Sequence, residues 1–331
     1  AEGRVEGEGG TRHAAEGAPV DGLDGGGEAE GLGDGDHDGT DEAAMRQTLL
    51  AYFHDTFTRY ETLFQTLTCD EAWLRKPITL RHPLIFYFGH TATFFINKLV
   101  LAGLLTERVH PGYESMFAIG VDEMSWDDLS DARYDWPSVA EVRAYRAKVR
   151  GLVDGLIRRL PLGLPIGWSD PFWIILMGIE HERIHLETSS VLIRQHDLRY
   201  VQPHPAWLPC ADHGEAPENS LLDVPAAEVV LGRDRAAPQI YGWDNEFGRH
   251  EASTAAFRAA RYLVSNREFL GFVEAGGYAD DALWQPEGLA WREFAAASHP
   301  TFWVRVGEQW RLRLMLAEVD MPWDWPVETN Y

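Results

Sequence analysis

Residues 181–185 read HERIH. Two histidines four apart on a helix sit one turn above the other and can bind a single metal ion. The literal pattern is that of a zinc protease, in which the glutamate between the histidines serves as the base. The elongated form of that motif continues with Gly and His, but Thr188 and Val191 stand at those positions. A third ligand must come from elsewhere. Upstream, FYFGHTATFFINK places His90 in the middle of a strongly apolar segment, where an imidazole needs a polar partner. Three histidines from two neighbouring helices make a set with open positions, which suits an iron or zinc site that binds substrate directly. His90, His181 and His185 are therefore the candidate ligands. Met177 lies on the same helical face one turn earlier. Glu187 is turned roughly 200° from His185 and is not expected to ligate. It is expected to pair with Arg183 or to support the site from outside the ligand set. Glu182 is expected to face solvent or a neighbouring helix. His54 is a competing ligand, while His82 reads as a loop residue and His196 as the end of a helix. Taken alone, His90 reads more readily as a hydrogen-bonded core histidine than as a ligand, and the His181 and His185 pair alone fits either reading; the three together point to a metal.

The helices that would position such a set belong to four long periodic segments. Residues 43–67 place Leu49, Phe53, Phe57, Tyr60 and Phe64 on one face. Residues 83–105 are more apolar, with Pro83 at the first turn. Residues 138–160 begin with a capping box, Ser138 and Glu141, and carry Val142, Tyr145, Val149, Leu152 and Ile157 on a core face. Residues 170–196 begin with Asp170 as cap and Pro171, with the histidine pair mid-helix. This predicts an up-and-down bundle over residues 43–200.

After residue 200 the texture changes. The Pro-rich YVQPHPAWLPC opens a linker, assigned to residues 201–223. Residues 224–331 then show short β-like pieces, AEVVLG and RYLVS, a helical NREFLGFVEAGG and a hairpin in which Trp310, Leu312 and Leu314 alternate with arginines. The expected class is α+β and multidomain. Such a loop-rich second domain is short at about 100 residues, so a fragment at both ends is expected.

The formal net charge is −23. Residues 1–42 contain two Arg and thirteen Asp or Glu and are Gly-rich, which predicts a disordered acidic leader. DGDHDG within it has the wrong spacing for a calcium loop. There is no basic stripe, so nucleic acid is not expected as a partner. The apolar stretch at 83–105 is interrupted by His90, Asn97 and Lys98, so no membrane span is expected. Cys69 and Cys210 cannot form a disulfide framework. A cytoplasmic, reducing setting is the expectation.

HPLIFYFGHTATFFINK together with GIEHERIHLE resembles the H…HxxxHxE pattern of DinB-like bundles. The later VVLGRD and YGWDNEFGRHEASTAAFRAARYLVSNREFLGFVEAGGY resemble the opening of a formylglycine-generating-enzyme (sulfatase-modifying-factor, C-type-lectin-like) domain. In that order the two resemble the ergothioneine and ovothiol sulfoxide synthases over about residues 45–331. Hercynine-using members carry glutamines between the two histidines and arginines before the third helix. Here Arg183 and Ile184 lie between the histidines, and the loops read DARYDWPS and YESMFAIGVDEMSWDDL. These features are similar to the ovothiol branch, 5-histidylcysteine sulfoxide synthase. The resemblance implies iron(II) held by His90, His181 and His185, with L-histidine, L-cysteine and dioxygen as reactants. It also implies catalytic and substrate-contact residues beyond Tyr331, so the chain alone is expected to be inactive. Hercynylcysteine sulfoxide synthesis and zinc-dependent DinB-type thiol transfer are the alternatives, with an HExxH hydrolase third.

Overall fold

The structure is a computed structural model, and it describes residues 37–118, 134–235 and 241–329. The described residues begin with α1 (His37–Leu63), α2 (Asp70–Leu74), α3 (Leu84–Leu101) and α4 (Pro111–Met116). It continues with α5 (Val139–Arg159) and α6 (Pro171–Arg194). The four long helices α1, α3, α5 and α6 form the expected bundle. The short α2 and α4 lie in stretches that carry no periodic signal of their own. Helix α1 starts six residues before the expected Ala43, inside the acidic segment read as a leader. The first 36 residues of that segment, and with them the first half of DGDHDG, lie outside the described residues.

Helix α3 is buried on nearly all sides, from Leu84 through Leu99. By length and composition it could cross a membrane, yet 72% of it is buried inside the protein. That is the pattern of a central bundle helix, apolar all round because every face meets another helix. Its neighbours supply the complementary faces: Phe53 and Phe57 of α1, Val149 and Val153 of α5, and Ile175 and Ile179 of α6 share one core with Phe95 and Leu99. Two glycines set how closely α3 and its neighbours approach. A Cβ on Gly178 of α6 would lie 2.2 Å from Phe95 Cε1, and one on Gly89 of α3 would lie 2.7 Å from the Phe117 ring. Gly89 precedes His90 directly, and Gly178 lies one turn before His181, so both close approaches fall at the histidines.

Helix α5 starts as expected, with Ser138 and Glu141 in a reciprocal capping box. Asp170 does occupy the N-cap of α6, but its side chain makes no cap bond. It turns back to accept from the Gly167 amide at 2.9 Å.

Beyond the bundle come β1 (Leu221–Val224) and β2 (Ala227–Leu231), then β3 (His250–Thr254) and β4 (Phe257–Ala260). They are followed by α7 (Asn266–Glu274), α8 (Pro286–Ala295), β5 (Trp303–Val306), β6 (Gln309–Arg313) and β7 (Glu318–Asp320). The strands pair antiparallel as β1–β4, β2–β3 and β5–β6–β7. Strand β1 begins inside the segment assigned to a linker. RYLVS is not a strand. The pairing ends at Ala260, and Ser265 instead caps α7 in a capping box with Glu268. A small core of Leu270, Trp303, Leu312 and Met321 holds this region. It is tied to the bundle by Arg194, whose Nε donates to the Arg313 carbonyl at 2.6 Å, and by Arg313, whose Nη2 donates to the His196 carbonyl at 2.8 Å.

Candidate metal centre

Helix α3 presents His90 and helix α6 presents His181 and His185, all three buried, with one ring nitrogen of each within 4.8 Å of the others. The i,i+4 spacing stacks the α6 pair, with ring centroids 4.5 Å apart. His90 closes the triangle at 4.9 and 4.8 Å from their centroids. Its Nδ1 lies 2.6 Å from the Phe117 carbonyl. A carbonyl only accepts, so the proton resides on Nδ1 and the lone pair on Nε2. That Nε2 stands 3.2 Å from His181 Nε2. Two nitrogens bound side by side at about 2.1 Å to one ion would be roughly 3 Å apart. The distance already present matches that geometry.

The electrostatics point the same way. Burial, followed by the neighbouring His185, His90 and Lys98, holds His181 well below the ordinary histidine range. Burial and His90 push His185 down to about 3. Both imidazoles are thus neutral at physiological pH and offer lone pairs rather than charge. The buried Nδ1 atoms of His181 and His185 have no hydrogen-bond partner. Three neutral imidazoles in a shielded site fit a divalent transition metal, and the donor type alone accommodates iron, zinc, copper or nickel.

A second layer of polar contacts lies behind the cluster. Glu182 is fully buried, contrary to any solvent-facing placement, and its Oε1 accepts from Arg146 Nη2 of α5 at 2.7 Å. Arg146 also donates to Thr91 Oγ1 and to the Phe88 carbonyl, both at 2.8 Å, and reaches Glu61 at 3.2 Å. Burial works against the charge on Arg146, and Glu182 and Glu61 more than offset it, so its pKa is raised. The glutamate of HERIH is therefore an interhelical anchor turned away from the cavity.

The remaining candidates are placed elsewhere. His54 bonds Asp154 at 2.8 Å and accepts from Arg150. His82 is buried in the loop before α3, its ring tilted against Phe86. His196 packs on Tyr200. Glu187 is exposed. Arg183 does not pair with it but contacts Asp55 and Thr56 of α1 and lies over the Tyr52 ring. Cys69 and Cys210 are exposed and free.

The histidines open on a cavity of about 790 Å³. Its bundle side includes Phe94, Lys98, Trp173, Met177 and Ile184, and its far side is the segment Tyr241–Asn245 from beyond the bundle. Trp173 meets Tyr241 with centroids 5.0 Å apart, and Trp168 meets Phe247 at 4.7 Å, so aromatic contacts hold the two sides together. Phe94 lies flat on His181, 3.7 Å between centroids and 7° between planes. None of these wall residues carries a ligand-type spacing, although Phe94 and Lys98 do follow His90 at successive i+4 steps.

Residues 52–189 match the DinB superfamily. The helical domain is DinB-like. The sheet-containing region follows it, giving a mixed α+β chain as expected. The chain is 29% identical over 273 residues to the hercynine oxygenase of Mycolicibacterium smegmatis, covering 81% of this chain and 60% of that protein. It is 27% identical over 229 residues to ergothioneine biosynthesis protein 1 of Neurospora crassa, covering 65% of this chain and 26% of that protein. With the hercynine oxygenase of Mycobacterium tuberculosis it shares 33% identity over 194 residues, 58% of this chain and 42% of that protein. The chain thus spans between about a quarter and three-fifths of the length of these relatives.

Proposed function

We propose that this chain is the metal-holding part of an oxygen-dependent sulfoxide synthase, which joins a thiol sulfur to an imidazole ring carbon. The observation that carries the reading is the three-histidine cluster at the base of a two-sided cavity, in a chain similar to hercynine oxygenases. His90, His181 and His185 would hold iron(II), with Glu187 outside the ligand set. Iron(II) supplies the open coordination positions and the redox chemistry of dioxygen. The balance is one thiol, one imidazole and one dioxygen giving one sulfoxide and one water. Two electrons leave on C–S bond formation and two on sulfur oxidation.

The protein's own contribution is placement. A cavity of about 790 Å³ has room for two molecules of amino-acid size. Holding sulfur and ring carbon in near contact replaces a bimolecular encounter by an oriented one. Trp168, Trp173 and Tyr241 line the cavity with aromatic surface. Arg146 and Glu182 fix the rotation of α6 and hence the aim of His181 and His185.

The acceptor is the finer question. The relatives' names favour hercynine, and that is the first reading. The second is L-histidine with L-cysteine, the ovothiol-type pair. It is favoured by Arg183 and Ile184 between the histidines: Arg183 is engaged on α1, and Ile184 puts an apolar side chain where a glutamine could bond a substrate.

The test uses the full-length protein that contains this chain, loaded with iron(II) without oxygen. Hercynine or L-histidine is paired with γ-glutamylcysteine or L-cysteine, and oxygen uptake and product mass are followed. Oxygen-dependent C–S product from hercynine is expected. Product only from L-histidine and L-cysteine moves the protein to the second reading. Iron bound with no C–S product, or tight zinc without oxygen uptake, refutes the synthase. In the same protein His185→Ala should lower iron stoichiometry sharply and Glu187→Gln should not. Equal loss in both would refute the ligand assignment.

A further inference from the structure

Apart from the three histidines, the described residues that line the cavity include one cationic side chain, Lys98. His90, Phe94 and Lys98 follow one another at i, i+4 and i+8 on α3, so they form a single ridge along the cavity wall. Phe94 lies against His181, and Lys98 Nζ stands 5.1 Å from the Phe94 centroid. The ammonium is therefore within about 9 Å of the His181 ring. Lys98 is half-buried, and no carboxylate of the described residues pairs with it. Its neighbour Asn97 is already committed, donating to the Glu114 carbonyl at 3.0 Å and accepting from Arg108 at 2.6 Å. A lysine in the last turn of a helix also complements the helix dipole. That role needs only a charge directed towards solvent beyond the helix end. It does not require the side chain to lie over Phe94 and line the cavity.

We propose that Lys98 anchors the carboxylate of the amino-acid substrate whose reacting group sits against the three histidines. This rests on the sulfoxide-synthase reading. The reach is appropriate. In an extended histidine the ring nitrogen and the carboxylate are about 6 Å apart, and an ammonium–carboxylate contact adds about 3 Å. Together they reach about 9 Å, enough to cover the separation of the ammonium from the His181 ring, which is at most about that. Phe94 sets that span, acting as a flat spacer between the reacting end and the charged end. The chemistry is shared by the imidazole acceptor and the thiol donor, since each carries a carboxylate.

The experiment separates the two. Binding to the iron-loaded full-length protein is measured by calorimetry without oxygen. The ligand pairs are L-histidine with histamine and L-cysteine with cysteamine, and hercynine is measured alongside. Lys98→Gln should weaken the carboxylate-bearing member of one pair by about tenfold or more and leave its decarboxylated partner unchanged. Lys98→Arg should recover most of the loss, and the melting temperature should stay near that of the parent. The pair that responds identifies the anchored substrate. Equal weakening of both members of a pair, or no change in either pair, overturns the proposal while leaving the synthase reading intact. A parent protein that binds no imidazole or thiol compound at all removes both.

Discussion

Replacing Arg146 with Met removes the cation behind the histidines, and a second replacement at Glu182 separates the pairing of the two from the contacts of Arg146 with Phe88, Thr91 and Glu61. The side chains of Arg146 and Glu182 are both fully buried, and the 2.7 Å contact is the principal partner of Glu182. Thr91 lies farther, at 3.4 Å, and Glu182 Oε2 has no partner. Removing the guanidinium leaves an uncompensated carboxylate in the core, which costs about 3–5 kcal/mol. For a domain of this size each kcal/mol lowers the melting temperature by about 2–4 °C, so a loss of about 6–20 °C is expected. The pH dependence has a definite sign. Burial raises the Glu182 carboxyl, and Arg146 is the main force lowering it. Without Arg146 the folded-state pKa rises further above the unfolded value of about 4.3. The folded variant then holds a proton that the unfolded chain releases. The variant is therefore closest to the parent below about pH 4.3 and loses ground as pH rises towards neutrality. The assay is urea denaturation of the apo-protein at several pH values, with a double-mutant cycle adding Glu182→Met. The double replacement removes both charges and should recover most of the loss, since two packed methionines suit this site. A single-variant loss below about 1 kcal/mol, or one that the second replacement does not reduce, would refute the reasoning.

Two further outcomes follow from the same geometry. Gly178→Ala places a methyl group 2.2 Å from Phe95 and should cost about 1–3 kcal/mol by overpacking. Because it forces α3 and α6 apart beside the histidines, cobalt(II) titration should show weaker metal binding as well. Unchanged affinity would mean that the helix spacing does not set the ligand geometry. In the apo-protein, His181 and His185 are neutral when folded and titrate near 6.5 when unfolded. Their stabilising contribution is full above about pH 6.5 and declines as pH falls from there towards the depressed folded values, about 3 for His185. The slope is at most about 1.4 kcal/mol per pH unit for each histidine. His185→Phe, followed by chemical denaturation from pH 7 to pH 4, should flatten that slope, and an unchanged slope would show that His185 does not contribute to it.

The histidine pair was legible because a helix repeats every 3.6 residues, so spacing alone decides that His181 and His185 share a face. His90 was legible because an imidazole inside an apolar helix needs a partner. The capping box at Ser138 and Glu141 was legible for the same local reason, being closed within one turn. Asp170 looked like an equally good cap. Its carboxylate instead serves the Gly167 amide, a choice between two nearby donors that composition does not rank. RYLVS has strand-like residues, but the ladder of β1 and β4 stops at Leu221 and Ala260: one further backbone bond joins Arg261 to the Ser220 carbonyl at 2.8 Å, and at Tyr262 the Asn219 side chain takes the place of a backbone partner. Glu182 faces a neighbouring helix, one of the two placements open to it from the sequence, because α6 is buried on more than one side, and a single helical phase cannot say which residue opposite would answer it. Its partner lies 36 positions earlier in the chain, on a different helix. The same holds for the Phe117 carbonyl that orients His90, 27 positions away, and for Tyr241 and Trp243 on the far wall of the cavity. Sequence periodicity therefore determined which side chains share a helix face. Only the packing of helix against helix, and of the later region against the bundle, decided which faces meet, because buried charges and lone pairs are matched across space rather than along the chain.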